Sequence, residues 1–309
     1  MSECTVPTAR DTDPYLLAAA MAAGAALVWS MGVMTTRLAT SADSWQYLVW
    51  RSLGVIAIME LLGLHAGKPL VVLRFLRGGL HGWLAAVFMA ISATAFIYAL
   101  KQTTVANAVF LASTAPLCNL ILGRLILHER LTAAGIGAIA LGLVGLVVMV
   151  GISFDGGDMS GNIAAMLSSI GFAGYSIIVR KGEAGGTREI IGGYATMCAT
   201  LCGFVVWFNG KPFLLPALDI SMALLHGVVF IGFGILLFNR AARTVTAVGL
   251  GVLAQVETVF APVWVYLFLG ETVSLNTLLG GGLILAGVVW LALAEAARKP
   301  PTPPLPQAG

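Results

Sequence analysis

Charge is what this chain of 309 residues has least of: Asp, Glu, Lys and Arg together make up 10% of it, where a soluble domain carries about a quarter. Too few charged groups remain to clothe a water-facing surface, so a soluble globular protein is excluded. Cysteine is scarce as well. Cys4, Cys118, Cys198 and Cys202 are the four present, too scattered for a zinc site. Cys198 and Cys202 share a helical face four residues apart, but two thiols in an apolar helix read as small packing residues. No metal and no cofactor is expected. A nucleotide-binding loop is also lacking: Gly135-Ile136-Gly137-Ala138-Ile139-Ala140 imitates the dinucleotide fingerprint, yet it opens an apolar run and follows no strand.

Long apolar runs are what is there, in a chain that is 59% hydrophobic. Crossing ~30 Å of hydrocarbon takes about 20 helical residues, and ten stretches are long enough. They run over Leu16–Thr36, Trp45–Leu64, Gly78–Leu100, Thr104–Gly123, Leu131–Phe154, Met159–Val179, Ile190–Asn209, Ile220–Asn239, Thr244–Leu269 and Thr272–Ala294. Only the second and ninth contain a charged residue. Continuous apolarity argues for helices, because barrel strands alternate apolar and polar over about ten residues. The reading is an all-α integral membrane protein of ten transmembrane helices.

Thirteen of the seventeen Lys and Arg residues fall in the gaps after even-numbered runs or at the termini. Arg37, Lys101 and Lys211 stand in the odd gaps, and Arg51 lies inside the second run. By the positive-inside rule both termini are cytoplasmic, so the +3 net charge reports topology and makes no case for nucleic acid. Residues 1–14 read as a cytoplasmic segment too polar for a signal peptide, followed by a retained first span. The proline-rich residues 298–309 read as a disordered cytoplasmic tail.

Sliding the chain on itself by 142 residues aligns the fourth and fifth runs with the ninth and tenth. Leu125–Thr132 meets Leu267–Ser274, and Glu129 meets Glu271. Five spans separate the copies, an odd number, so the second enters the membrane upside down. The chain therefore divides into two inverted five-helix repeats, residues 15–155 and 156–297. Secondary transporters frequently use this construction, opening a central site alternately to each side. No nucleophile with a matching base accompanies it, which argues against an intramembrane hydrolase.

The residues also carry a family likeness. Trp29-Ser30 in the first run with Arg37 at its end, Trp50-Arg51 in the second, and the paired helix ends at Glu129 and Glu271 resemble the ten-helix drug/metabolite transporter superfamily, EamA type. That superfamily includes amino-acid and metabolite exporters of the YddG kind. Its Glu-Pro-Val-Phe-Ala element is similar to Glu257-Thr258-Val259-Phe260-Ala261, with Thr258 in place of proline and Pro262 close by. In the first half Pro116 survives, while Ala115 replaces the acid. The likeness implies export of amino acids or related small metabolites across a bacterial inner membrane. Uptake of a vitamin, nucleoside or S-adenosylmethionine-like metabolite stays open, as does, from another class, an intramembrane enzyme or lipid flippase component.

Several side chains could carry transport. Glu257 sits near the middle of the ninth run, where a carboxylate costs about 2.5–3.5 kcal/mol on insertion scales; it should face a cavity or partner, to accept a proton or bind a substrate ammonium. Arg51 could snorkel to the outer surface, make a structural ion pair, or meet a substrate carboxylate. Asn107, Thr114 and Cys118 form a polar stripe on the fourth helix that should face water or a partner helix. Gln255 lies nearly opposite Glu257 on its helix.

Trp29, Phe96, Phe172, Tyr175, Phe233 and Trp264 read either as packing residues or as a cavity lining. Trp45 and Tyr47 read as interfacial belt residues. Pro116 and Pro262 should bend their helices. His226 reads as a hydrogen-bonded packing histidine or a proton relay. The expected partners are a small solute and the lipid bilayer, with proton coupling and a homodimer open.

Overall fold

The computed structural model describes residues 14–128, 131–151, 158–180, 186–241, 244 and 247–296. The expectations for the N-terminal segment, Glu129 and the proline-rich tail lie outside these residues. Every regular element among the described residues is helical. In hydrocarbon a backbone must satisfy its own hydrogen bonds, and a helix does so within one segment. Among the described residues eight helical stretches are long and apolar enough to cross a membrane, and Ala133–Val148 and Leu253–Leu269 are shorter apolar helices.

In chain order the helices are α1 (Pro14–Leu38), α2 (Ser44–His65), α3 (Val71–Leu76), α4 (Leu80–Gln102), α5 (Val105–Ala112), α6 (Ala115–Ile126), α7 (Ala133–Gly151), α8 (Met159–Arg180) and α9 (Thr187–Phe208). There follow α10 (Ala217–Leu225), a π-helical segment (His226–Phe233), α11 (Gly234–Ala241), α12 (Ala247–Leu269) and α13 (Leu275–Ala296). α2 begins at a capping box. The Asp43 carboxylate accepts from Gln46 N at 2.8 Å, and the Gln46 side chain accepts from Asp43 N at 3.2 Å, satisfying two donors that a helix start leaves open.

Two apolar runs differ from uninterrupted helices. The fourth breaks at Ser113–Thr114 into α5 and α6, with proline in the first turn of α6; there its missing N–H costs nothing, so Pro116 restarts a helix instead of bending one. Pro262, by contrast, lies inside the unbroken α12. The eighth run passes through the π-helical segment, a rare register frequent at functional sites. Ahead of the third run, the short α3 is started by Glu60 of α2, whose carboxylate accepts from Val71 N at 2.6 Å and Val72 N at 2.9 Å. A carboxylate at this end also complements the helix dipole.

The dominant pairings are α4 with α8, α7 with α13, α1 with α12 and α2 with α9. Small residues permit the close ones: a Cβ on Gly145 of α7 would stand 2.6 Å from the Gly280 carbonyl oxygen of α13, nearer than such atoms approach. The glycines of the false dinucleotide motif serve this packing, as small residues do between membrane helices. One buried cluster gathers Tyr47, Leu48, Leu100 and Leu111; a second gathers Val55, Met59, Phe75 and Tyr194.

Candidate functional site

Glu257 is on the flank of α12 that faces α1. Leu253, four residues before it, packs on a cluster of Ala18 and Ala22 of α1 with Ala241 of α11, and Trp264, seven residues after it, donates from Nε1 to Ser30 Oγ at 3.0 Å. Residues at these spacings share one side of a helix. Among the described residues the Glu257 carboxylate has no ion pair. Gln255 is on another flank and accepts from Thr258 Oγ1 at 3.3 Å. Trp264 stacks obliquely between Phe260 and Phe268, 5.7 and 6.2 Å away. Trp29 turns to α11, with its ring 5.3 Å from Phe238 and its buried Nε1 without a hydrogen-bond partner.

Arg51 belongs to a different place. Its helix α2 packs on α9 and on the π-helical segment, and the residue is 5% exposed. It does not snorkel. Beside it, the Tyr47 hydroxyl hydrogen-bonds Thr35 Oγ1 and His226 Nδ1, both at 2.9 Å. Tyr47 is fully buried, which corrects the interfacial-belt expectation: its hydroxyl finds partners inside the bundle and needs no headgroup region. His226 is thereby a hydrogen-bonded buried histidine.

The two charged candidates are not brought together, because α1 stands between them. Ser30 faces Trp264 on α12, whereas Gly32, roughly 200° further round at 100° per residue, faces His226 and Phe230, whose nearest atoms lie 3.1 Å from its Cβ position.

The stripe on the fourth run meets partner helices. Asn107 and Thr114 are 3% and 5% exposed. Asn107 Oδ1 accepts from Thr277 Oγ1 of α13 at 2.8 Å, and Thr114 donates to Ser169 Oγ of α8 at 3.0 Å. Cys118, one turn beyond, is partly buried. Among the aromatic candidates, Phe172 and Tyr175 pair at 5.8 Å on α8, with Phe172 exposed and Tyr175 packed on the second cluster. Phe96 packs on the first cluster, while Phe233 is exposed. Cys198 hydrogen-bonds Thr94 Oγ1 at 3.4 Å, and no group of residues suited to a metal occurs among those described.

The structure adds a clasp that sequence reasoning marked only as separate residues. Arg37, at the end of α1, pairs with Glu271 in the α12–α13 link (Nε to Oε2, 3.2 Å) and donates from Nη2 to the Thr103 carbonyl at 2.6 Å. Glu271 Oε1 also accepts from Val105 N at 2.6 Å, capping α5. Nearby, Asp219 accepts from Ala42 N at 2.6 Å and Lys211 pairs with Asp43 at 2.6 Å. These bonds stitch segments of the two halves together at one end of the bundle. Arg37 and Glu271 are 234 positions apart, too far for any local pattern to announce them as partners.

Comparison with known proteins agrees with a transporter. The EamA-like transporter family matches residues 16–151 and again residues 159–293, once in each half. A pseudopaline exporter, CntI, of Pseudomonas aeruginosa is 25% identical over 249 residues, covering 80% of each chain. An uncharacterized transporter of Archaeoglobus fulgidus is 27% identical over 210 residues, 66% of this chain and 73% of the relative. A solved crystal structure superposes with a TM-score of 0.66 at 21% identity, over 91% of this chain and 99% of the other; it speaks to the fold alone.

Proposed function

This chain belongs to the EamA-like transporter family, a family of multi-pass membrane proteins, and we propose that it is a secondary carrier exporting amino acids or similar small metabolites across a bacterial inner membrane. In this reading ten helices form two inverted five-helix halves, both termini are cytoplasmic, and alternating access moves the solute. The clasp of Arg37, Glu271 and Val105 then closes the external end. The observation that carries the proposal is Glu257, an acid within an apolar helix, turned to α1 and without an ion partner among the described residues. Such residues mark substrate or proton pathways in membrane helices. Export as the direction is supported by the pseudopaline exporter among the relatives.

Counterflow in proteoliposomes, screened over labelled amino acids, vitamins and nucleosides, tests this. Uptake of a labelled amino acid against its unlabelled pool is expected, and Glu257→Gln, which keeps shape and hydrogen bonding but cannot charge, should slow it at least tenfold in a protein that still folds and inserts. Exchange of vitamins or nucleosides without amino acids would replace the substrate class. Normal rates with an unchanged pH profile in Glu257→Gln would remove its ionisation from the cycle.

A further inference from the structure

Among the described residues Arg51 is a buried cation without an anion. Its Nε and Nη1 atoms are both buried and neither has a hydrogen-bond partner. Arg51 acts electrostatically on the nearby side chains of Tyr47, Tyr194, Cys198, Cys202 and His226, with Tyr194 as its hydrogen-bonding neighbour. None carries a carboxylate, and no described acid forms an ion pair with Arg51. Buried charges in proteins are ordinarily paired, because desolvation is repaid only by a close counter-charge and by hydrogen bonds to every donor. Here that arrangement is half built. The cation is held by packing, with the Gly227 backbone of the π-helical segment pressed on the Arg51 carbonyl, and the counter-charge is missing.

We propose that Arg51 is the anchor for a carboxylate group of the transported solute. A monoanion fits the charge count: one guanidinium stands among neutral phenols, thiols and an imidazole, so a phosphate dianion would leave a net negative charge in a low-dielectric interior. Tyr47 links this anchor to the outer end. Its ring lies 5.5 Å from Lys101 Nζ, and Lys101 in turn lines an open cavity of about 350 Å³ with Trp45, Tyr98, Lys211 and Asp43. A carboxylate leaving Arg51 toward that face meets a second cation and then an aromatic, basic mouth. The proposal rests on the carrier reading above and gives it a substrate class, solutes bearing a free carboxylate.

The test uses the full chain in nanodiscs and proteoliposomes with matched probe pairs: leucine and leucinamide, phenylalanine and phenylalaninamide, propionate and propionamide. Wild-type protein should be stabilised against heat by the carboxylate of each pair, and counterflow should be inhibited at least tenfold more strongly by the carboxylate than by the amide. Arg51→Met removes the charge at similar volume. It should unfold at the same temperature as unliganded wild type or higher, since the charge it removes is uncompensated, and should lose the discrimination. Arg51→Lys should retain part of it.

A structural arginine gives the reverse pattern, with Arg51→Met unfolding well below wild type and Arg51→Lys restoring stability while carboxylates and amides stay undiscriminated throughout; that result overturns the proposal. Counterflow inhibited equally by both members of every pair also overturns the anchor but leaves the carrier standing. Arg51-dependent stabilisation by carboxylates without counterflow of any solute supports the anchor and removes the carrier reading.

Discussion

Glu271 satisfies two donors with one carboxylate, the Arg37 Nη2 group and the Val105 backbone N–H, and stands 3.2 Å from Arg37 Nε as an ion pair. Solvent screens such a pair where it is exposed, and isolated surface pairs contribute about 0–1 kcal/mol. The backbone bond is a different matter, since Val105 is buried and a buried donor left unsatisfied costs about 1–3 kcal/mol. Glu271→Ala is therefore expected to lower unfolding free energy in detergent by about that amount, with Glu271→Gln losing less because its amide oxygen can still cap α5. Equal losses in the two variants would show that charge, and not the cap, is what matters. At this scale the sequence was informative about charged side chains in apolar runs, Arg51 and Glu257, because their desolvation cost is local. It misplaced Tyr47 at the membrane interface, because the partners that let it be buried are Thr35 across one loop and His226 some 179 positions away.

Helices were legible as apolar runs because length and continuity alone demand them in a bilayer. Their interruptions were less so. The break before Pro116 was foreshadowed by the proline, yet whether it bends or restarts a helix depends on whether the preceding turn has already closed. The π-helical segment has no local signature and is explained by its neighbour. A Cβ on Gly227 would collide with the Arg51 carbonyl and stand 2.9 Å from Val55 N, so α2 and this segment are in backbone contact. Gly227→Ala is expected to cost about 1–3 kcal/mol, the usual price of overpacking. Gly282 on α13 has nothing within 4 Å of its Cβ position, so Gly282→Ala should be neutral or stabilising by up to about 1 kcal/mol through helix propensity. Parallel unfolding measurements decide the matter, and equal effects at the two glycines would dispose of the close-contact account.

For the whole molecule, one family matches twice, over residues 16–151 and 159–293, and these two stretches are taken as its halves. The clasp joins these halves at one end, its members 23% and 24% exposed, and at the opposite end Arg74 of α3 pairs with Glu189 of α9, 21% and 22% exposed; both pairs are open to dissolved ions. Raising ionic strength from 0.15 to 1 M shrinks the screening length from about 8 Å to about 3 Å. The bundle consequently carries a salt-sensitive fastening at each end, and the two can be screened separately. In oriented proteoliposomes, concentrated sodium chloride on the side away from the termini should increase labelling of a cysteine placed at Thr40, while the same salt on the other side should not. Sensitivity on the terminal side would reverse the orientation. Salt alone, applied to one side, would thus loosen one fastening and leave the other tight, biasing the bundle before any solute arrives.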